Sequence, residues 1–163
     1  MPLAVEEALR SLTFSASLPD TVLEQLCALA SIEKAVTGAV LFREGSVHDG
    51  FSIVVDGHVG LEMNVPGRGD VRILSLGTGD VLAWSALLAH GRMTASALAV
   101  SNVQLLTFRG GELRQLCEAN HEVGFHLMQR VAAALSRRLL ATRLQLLDLF
   151  AAQPPPINPA PRP

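Results

Sequence analysis

Residues 38–63 read GAVLFREGSVHDGFSIVVDGHVGLEM. The stretch alternates short apolar runs with glycines, which allow tight turns because they adopt positive φ without steric strain. The segment PGRGD at 66–70 predicts a hairpin connection that projects into solvent. Short runs at near-regular spacing are typical of antiparallel sandwiches and barrels, so we predict a β-roll of jelly-roll type over residues 31–109. The predicted strand runs are 39–42, 51–55, 58–63, 71–76, 97–100 and 103–108.

Helical patterns flank this β region on both sides. Residues 1–30 are predicted to form two short helices, with Ser17, Pro19 and Asp20 as start signals for the second. Residues 110–150 are helical again, first over 112–118 and then in one long helix over 121–150, for which Asn120 is the expected cap. The fold class is therefore α+β. Residues 151–163 contain six of the chain's prolines and predict a disordered or polyproline-like tail.

The long helix carries an apolar seam with steps of three and four residues, the spacing of a coiled coil. A helix of about 30 residues is about 45 Å long, more than a small β-roll needs for cover. We expect the excess to pair with a second copy of the chain in a parallel homodimer. The predicted interface residues are Met128, Ala132, Leu135, Leu139, Thr142, Leu146 and Leu149.

Composition limits the function further. The chain has 163 residues, of which 49% are hydrophobic and 17% charged, and these values fit one compact domain. The net charge of −2 disfavours a protein that mainly coats nucleic acid. Two cysteines cannot form a disulfide framework or a four-cysteine zinc site, and the five histidines lack metal-ligand spacing, so we expect no metal. With no leader-like or membrane-spanning pattern, we expect a cytoplasmic protein.

The order of these motifs resembles the cyclic nucleotide-binding domain of the Crp/Fnr-type regulators over about residues 12–149. The segments 41–45 (LFREG) and 51–59 (FSIVVDGHV) look like that family's two glycine-punctuated strand and turn motifs. Residues 76–82 (LGTGDVL) look like the entry to its phosphate-binding cassette, which here covers 77–95. The segments 81–85 (VLAWS) and 141–148 (ATRLQLLD) are similar to small bacterial proteins that keep the sensor domain and dimer helix without a DNA-binding module.

The resemblance implies a ligand site, and the residues depart from it. In the family, a Gly-Glu pair binds the ribose hydroxyl, and a short helix and an arginine bind the cyclic phosphate. Ala83 and Trp84 stand at the Gly-Glu pair, and counting back from Val103 puts Met93, not Arg92, at the arginine. On a strand, an offset of one residue reverses the direction of the side chain. The candidate ligand-binding residues are Gly79, Ala83, Trp84, Ser85, Arg92, Thr94 and Thr142.

These observations leave three functions open. The first is a non-enzymatic homodimeric sensor that binds cAMP or cGMP weakly or takes another small anionic ligand. The second is an adaptor or scaffold with a closed pocket, which acts through protein partners. The third is a Crp/Fnr regulator by descent that has lost its DNA-binding module. No catalytic residues are expected, since no pair of nucleophile and base is visible. We also expect no cofactor, no membrane association and no direct DNA binding.

Overall fold

The computed structural model describes residues 2–88 and 90–152. The chain begins with helix α1 (Pro2–Ser11), a short 3-10 helix (Thr13–Ser15) and helix α2 (Asp20–Leu29). Helix α2 starts directly after Pro19, without a side-chain cap, and Ser17 lies further back with a positive φ of 64°. The expected start signal at Ser17 is therefore wrong; Pro19 is the N-cap residue, and its carbonyl oxygen accepts from the backbone N of Val22 and of Leu23. The predicted tail lies, from residue 153 onward, outside the described residues.

Eight strands form the β-roll, and every strand pair is antiparallel. One sheet has the order β1-β8-β3-β6 and the other has the order β2-β7-β4-β5. The predicted antiparallel roll with flanking helices is thereby confirmed. The strands are β1 (Ala30–Ala35), β2 (Val40–Phe42), β3 (Gly50–Asp56), β4 (Val59–Val65), β5 (Gly69–Leu76), β6 (Val81–Leu82), β7 (Ser96–Ala99) and β8 (Val103–Arg109).

Two strands and one turn differ from the sequence prediction. Strands β1 and β6 were not predicted, and both lie at the edges of their sheet. An edge strand tolerates charged residues, as in the ASIEKA sequence of β1, and so lacks a clear apolar alternation. The β4–β5 hairpin pairs Val65 with Gly69, so its connection has only three residues, 66–68, instead of the expected five.

The central strands β3 and β8 separate two hydrophobic cores. On one face of their sheet, Phe51 and Phe108 pack against the helices. On the other face, Val54 and Leu105 pack between the two sheets of the roll. This alternation follows from the period-two geometry of strands, which sends successive side chains to opposite faces.

Two helices follow the roll: α3 (Gly110–Ala119) and α4 (His121–Ala151), which has 31 residues. The Asn120 side chain caps α4 as expected, because its Oδ1 accepts from the backbone N of Glu122 at 3.1 Å and of Val123 at 3.4 Å. A Cβ on Gly124 would lie only 3.0 Å from the Cys117 carbonyl oxygen, so this glycine permits α3 and α4 to approach closely. From residue 139 onward every described residue of α4 is exposed. No helix of the described part of the chain is long and apolar enough to cross a membrane.

Gly57 offers a test of the turn between β3 and β4. Its φ is +85°, and an added Cβ would overlap the Asn102 carbonyl oxygen. We expect Gly57→Ala to lower the free energy of unfolding by about 2–5 kcal/mol, since left-handed strain and backbone overlap both contribute. Gly67→Ala is the matched control, because Gly67 has a φ of +80° with nothing near its Cβ position. It should cost about 1–2 kcal/mol from strain alone. Urea unfolding measures both, and equal losses would contradict the overlap.

Candidate functional site

The cassette-like segment starts with a tight turn. The Asp80 carboxylate accepts from the Gly77 backbone N at 2.9 Å, and Gly79 has a φ of +88°. Strand β6 follows, and Ala83 then adopts a left-handed conformation with a φ of 58°. The short helix that the family resemblance implies for the cassette is here a single 3-10 turn, Trp84–Leu87. A 3-10 turn of four residues has few aligned peptide dipoles, so it attracts an anion much less strongly than a full helix would.

Four of the predicted ligand residues line one small cavity inside the β-roll: Ala83, Trp84, Ser85 and Thr94. Phe42, Leu61, Leu82, Met93, Ala95 and Arg138 complete its wall. The cavity has a volume of about 20 Å³, which is room for about one water molecule. Pockets for small ligands usually measure about 300–1,000 Å³. The roll interior is therefore nearly filled by its own side chains.

Trp84 contributes to this filling from one side. Its half-buried indole packs against the core formed with the helices and also lines the cavity of the roll. A tryptophan placed between two cores anchors the 3-10 turn through the large apolar area that it buries. One part of this side chain therefore belongs to the core, and another part lines the cavity.

Arg92 and Met93 point in opposite directions. Arg92 is exposed, and its Nη1 donates to the Gly45 carbonyl oxygen at 2.7 Å on the outside of the roll. Met93 is only 3% exposed and lines the cavity. The backbone of Met93 is held in place by hydrogen bonds with Gly45 and Ser46. The offset noted in the sequence therefore survives in three dimensions, with a thioether inside the roll and the guanidinium outside.

Gly79 and Thr142, the two other candidates, are also absent from the cavity wall. Gly79 lies beside Thr13 in a separate depression. Thr142 is exposed on α4, and its hydroxyl donates back to the Arg138 carbonyl oxygen at 2.9 Å, a common bond for a threonine within a helix.

The cation of the cavity comes from helix α4. The half-buried Arg138 lines the cavity, and its Nη2 donates to the Val81 carbonyl oxygen of β6. Burial lowers the pKa of Arg138, and the nearby Asp80 carboxylate opposes that shift. Because an arginine starts from a very high pKa, the side chain remains charged at neutral pH.

Three arginines on α4 would be expected to form a solvated face, and Arg137 and Arg143 are indeed exposed, but Arg138 is half-buried. The helical spacing of the sequence already indicates that Arg138 faces the core. Val123, Leu127 and Val131 are buried, and Arg138 follows Val131 by two turns on the same side of the helix. A charged residue on a core-facing stripe indicates a directed polar contact rather than a solvated one.

Comparisons with known proteins agree with this architecture. The family model of the cyclic nucleotide-binding domain matches residues 32–120. The chain belongs to the cyclic nucleotide-binding domain family. No curated protein matches it.

Three solved structures place this domain near the Crp/Fnr-type regulators. A candidate cyclic nucleotide-binding protein from Geobacter metallireducens GS-15 is 32% identical, with a TM-score of 0.71, over 82% of this chain and 96% of that one. The N-terminal domain of a transcriptional regulator from Streptomyces coelicolor A3(2) is 28% identical, with a TM-score of 0.66, over 82% and 94%. The Thermus thermophilus catabolite activator protein is 25% identical, with a TM-score of 0.66, over 85% and 62%. The resemblance to Crp/Fnr proteins is confirmed.

Two further kinds of reactive group are relevant to the chemistry of this cyclic nucleotide-binding domain: clustered metal ligands and cysteine thiols. Among the described residues, no group of three or more His, Cys, Asp or Glu side chains is arranged to hold a metal ion. Burial raises the pKa of both cysteine thiols, Cys27 and Cys117, so at neutral pH they are protonated and poorly nucleophilic.

The role of Arg138 can be measured by substitution. We expect Arg138→Ala to lower the free energy of unfolding by about 1.5–3 kcal/mol, because the Val81 carbonyl loses a charged donor and the arginine stem loses its packing. Arg143→Ala, an exposed site on the same helix, should stay within about 0.5 kcal/mol of the native chain. Denaturant midpoints compare the two, and similar small effects would mean that Arg138 does not tie α4 to the roll.

Proposed function

We propose that this chain is a non-enzymatic, homodimeric regulatory module of the cytoplasm, in which the β-roll site has diverged from cyclic nucleotide binding. One observation carries the proposal. The guanidinium of Arg138 belongs to the long helix and also forms part of the wall of the roll cavity. The element that carries the predicted dimer seam therefore contacts the element that would receive a ligand.

This contact supplies a mechanism for signalling. An anion can enter the roll only if the packed side chains move apart; it then competes with the Val81 carbonyl for Arg138, since a carboxylate or phosphate accepts a stronger hydrogen bond than a neutral carbonyl does. When Arg138 exchanges the Val81 carbonyl for the anion, the packing of α4 against β6 changes. The ligand thereby biases the position of the helix through differential contacts in two states, as any such switch requires.

The same geometry disfavours the cyclic nucleotides themselves. Ala83 and Trp84 provide no carboxylate for a ribose hydroxyl, Met93 places no charge in the roll, and the cavity has a volume of about 20 Å³. Loss of one charge-assisted bond weakens binding by about 1.5–3 kcal/mol, or about 10- to 150-fold. A nucleotide would also have to displace packed side chains before it could bind.

The volume of the cavity favours a second candidate function. In an adaptor or scaffold, the roll is a closed structural core, and the exposed helix acts through protein contacts. The two candidates differ in their response to a ligand. A sensor that binds the ligand in its native state is stabilised by mass action, whereas a scaffold with a closed roll binds none and is not stabilised.

The homodimer draws its support from the exposure of the seam. Leu139, Leu146 and Leu149 are 52%, 50% and 66% exposed on the part of α4 that lies beyond the roll. Nearer the roll, a shallow apolar groove of about 770 Å³ includes Met128 and Ala132 of the same seam. Leu135 differs, since it packs partly against the chain's own core. A continuous apolar stripe of this kind fits a second copy of the same helix.

Calorimetry with cAMP and cGMP at physiological salt tests the divergence of the site. We expect no submicromolar binding of either nucleotide, because the roll cavity has neither the ribose acceptor nor the arginine of the cassette, Arg92 being outside. The fluorescence of Trp84, the only tryptophan, reports any entry into the roll in the same titration. Submicromolar binding would contradict the proposal, and it would mean that Ser85, Thr94 or Arg138 supplies the missing contacts.

Sedimentation velocity tests the homodimer. We expect the double variant Leu139→Glu, Leu146→Glu to be monomeric, because two like charges would enter the apolar seam of each helix. Ala141→Glu with Leu144→Glu is the matched control, since these exposed positions lie about 200° and about 140° round the helix from Leu139. The control should remain dimeric. Dimers in the seam variant would place the interface elsewhere.

A further inference from the structure

A second cavity lies outside the β-roll, on the other side of the turn that precedes β6. It has a volume of about 420 Å³, within the usual range for small-ligand sites. Its walls come from the 3-10 helix at Thr13, from the turn at Thr78 and Asp80, and from α4 at Arg130 and Arg137. None of the residues that line the roll cavity belongs to it.

The cavity carries an excess of positive charge. Arg130 and Arg137 are seven residues apart on α4, so they lie within about 20° of the same face of the helix. Among the described residues, neither arginine forms an ion pair within 4.0 Å. The single carboxylate in the wall, that of Asp80, already accepts from the Gly77 backbone.

Arg130 adds an independent observation. Its Nη2 donates to the Ala16 carbonyl oxygen, whereas its Nε is buried and has no hydrogen-bond partner among the described residues. A buried charged donor without an acceptor is unfavourable, and such groups usually have a partner when the protein is in its functional state. A small turn of the guanidinium toward the cavity would bring this edge to an anionic acceptor, which binds arginine through two parallel bonds.

The other residues in the cavity wall indicate which further chemical groups the ligand carries. The Thr13 and Thr78 hydroxyls can donate to phosphate oxygens, Asp80 can accept from a ligand hydroxyl, and Phe14 provides an apolar surface. We propose that this cavity binds a small phosphate monoester with a hydroxylated carbon skeleton, such as a sugar phosphate or a nucleoside monophosphate. The phosphate contacts Arg130 and Arg137, and the ligand joins α4 to the N-terminal 3-10 helix.

This site is independent of the diverged pocket in the β-roll. Both sites contact α4, but Arg138 serves the roll and Arg130 and Arg137 serve the outer cavity. Occupancy of the outer cavity would hold α4 against the N-terminal segment and stabilise the native domain by mass action.

Calorimetry and thermal unfolding test the proposal with glucose 6-phosphate, 5′-AMP, inorganic phosphate and adenosine as probes. We expect both esters to bind and to raise the melting temperature, and adenosine to have no effect. The difference in affinity between the two esters indicates whether the site prefers a sugar phosphate or a nucleotide. Binding of neither ester at millimolar concentration would overturn the proposal. Inorganic phosphate that binds as tightly as both esters would overturn the role of the carbon skeleton.

Variants then locate the site. Arg137→Gln replaces an exposed side chain, so the fold is retained, and it should weaken ester binding about 10- to 150-fold. Arg143→Gln is the matched control, and Thr94→Val tests the roll cavity without disturbing the attachment of α4; both should leave ester binding unchanged. Unchanged binding in Arg137→Gln would overturn the assignment. A loss in Thr94→Val instead would place the ester in the β-roll, which separates failure of this site from failure of the proposed sensor function.

Discussion

The attachment of helix α4 to the β-roll is the constraint on which the rest of the structure depends. Val123, Leu127 and Val131 bury one stripe of the helix in the core that the helices share with β3 and β8. Two turns further on, the stripe ends with Arg138, whose guanidinium binds the Val81 carbonyl. A buried guanidinium is stable only where an acceptor is placed for it, so this contact sets the position of the helix along the roll. Beyond it, α4 leaves the domain and exposes its apolar residues.

The same helix also supplies the charge found inside the roll. The framework of turns and strands matches that of the family, and within it Arg92 lies outside the cavity. Met93 fills space inside while Arg92 binds Gly45 outside, because adjacent residues of an extended segment face opposite ways. Positive charge reaches the cavity from the helix instead of from the cassette. A ligand site of this kind would be coupled directly to α4, because a residue of the helix forms part of its wall.

The turn at residues 77–80 connects these features. Its Asp80 carboxylate holds the turn through Gly77 and also influences Arg138 through space. On its outer side, Thr78 and Gly79 face the N-terminal 3-10 helix and the arginines of α4. One short turn therefore lies between two cavities of different size and charge: the small roll cavity has one arginine in its wall, and the larger outer cavity has two. Helix α4 is common to both, which makes it the natural point at which two signals would combine.

Much of this organisation could be predicted from the sequence because it depends on local interactions. Glycine turns between apolar runs specify the strands of the roll, the Asn120 side chain specifies the start of α4, and heptad spacing specifies its apolar seam. The motif order also indicated the family, and the count of residues from Val103 identified the offset between Arg92 and Met93.

Other features were decided only by tertiary structure, since they depend on residues far apart in sequence. Strands β1 and β6 are short or polar in sequence and exist because β8 and β3 offer them hydrogen-bonding edges. Arg138 resembles its exposed neighbours Arg137 and Arg143 until the fold brings Val81 to it from 57 residues away. The volume of the roll cavity likewise results from the packing of Phe42, Leu61 and Met93 from separate segments. Local sequence determines which elements form. The contacts between distant elements determine which side chains are buried and which charged groups lie next to each other.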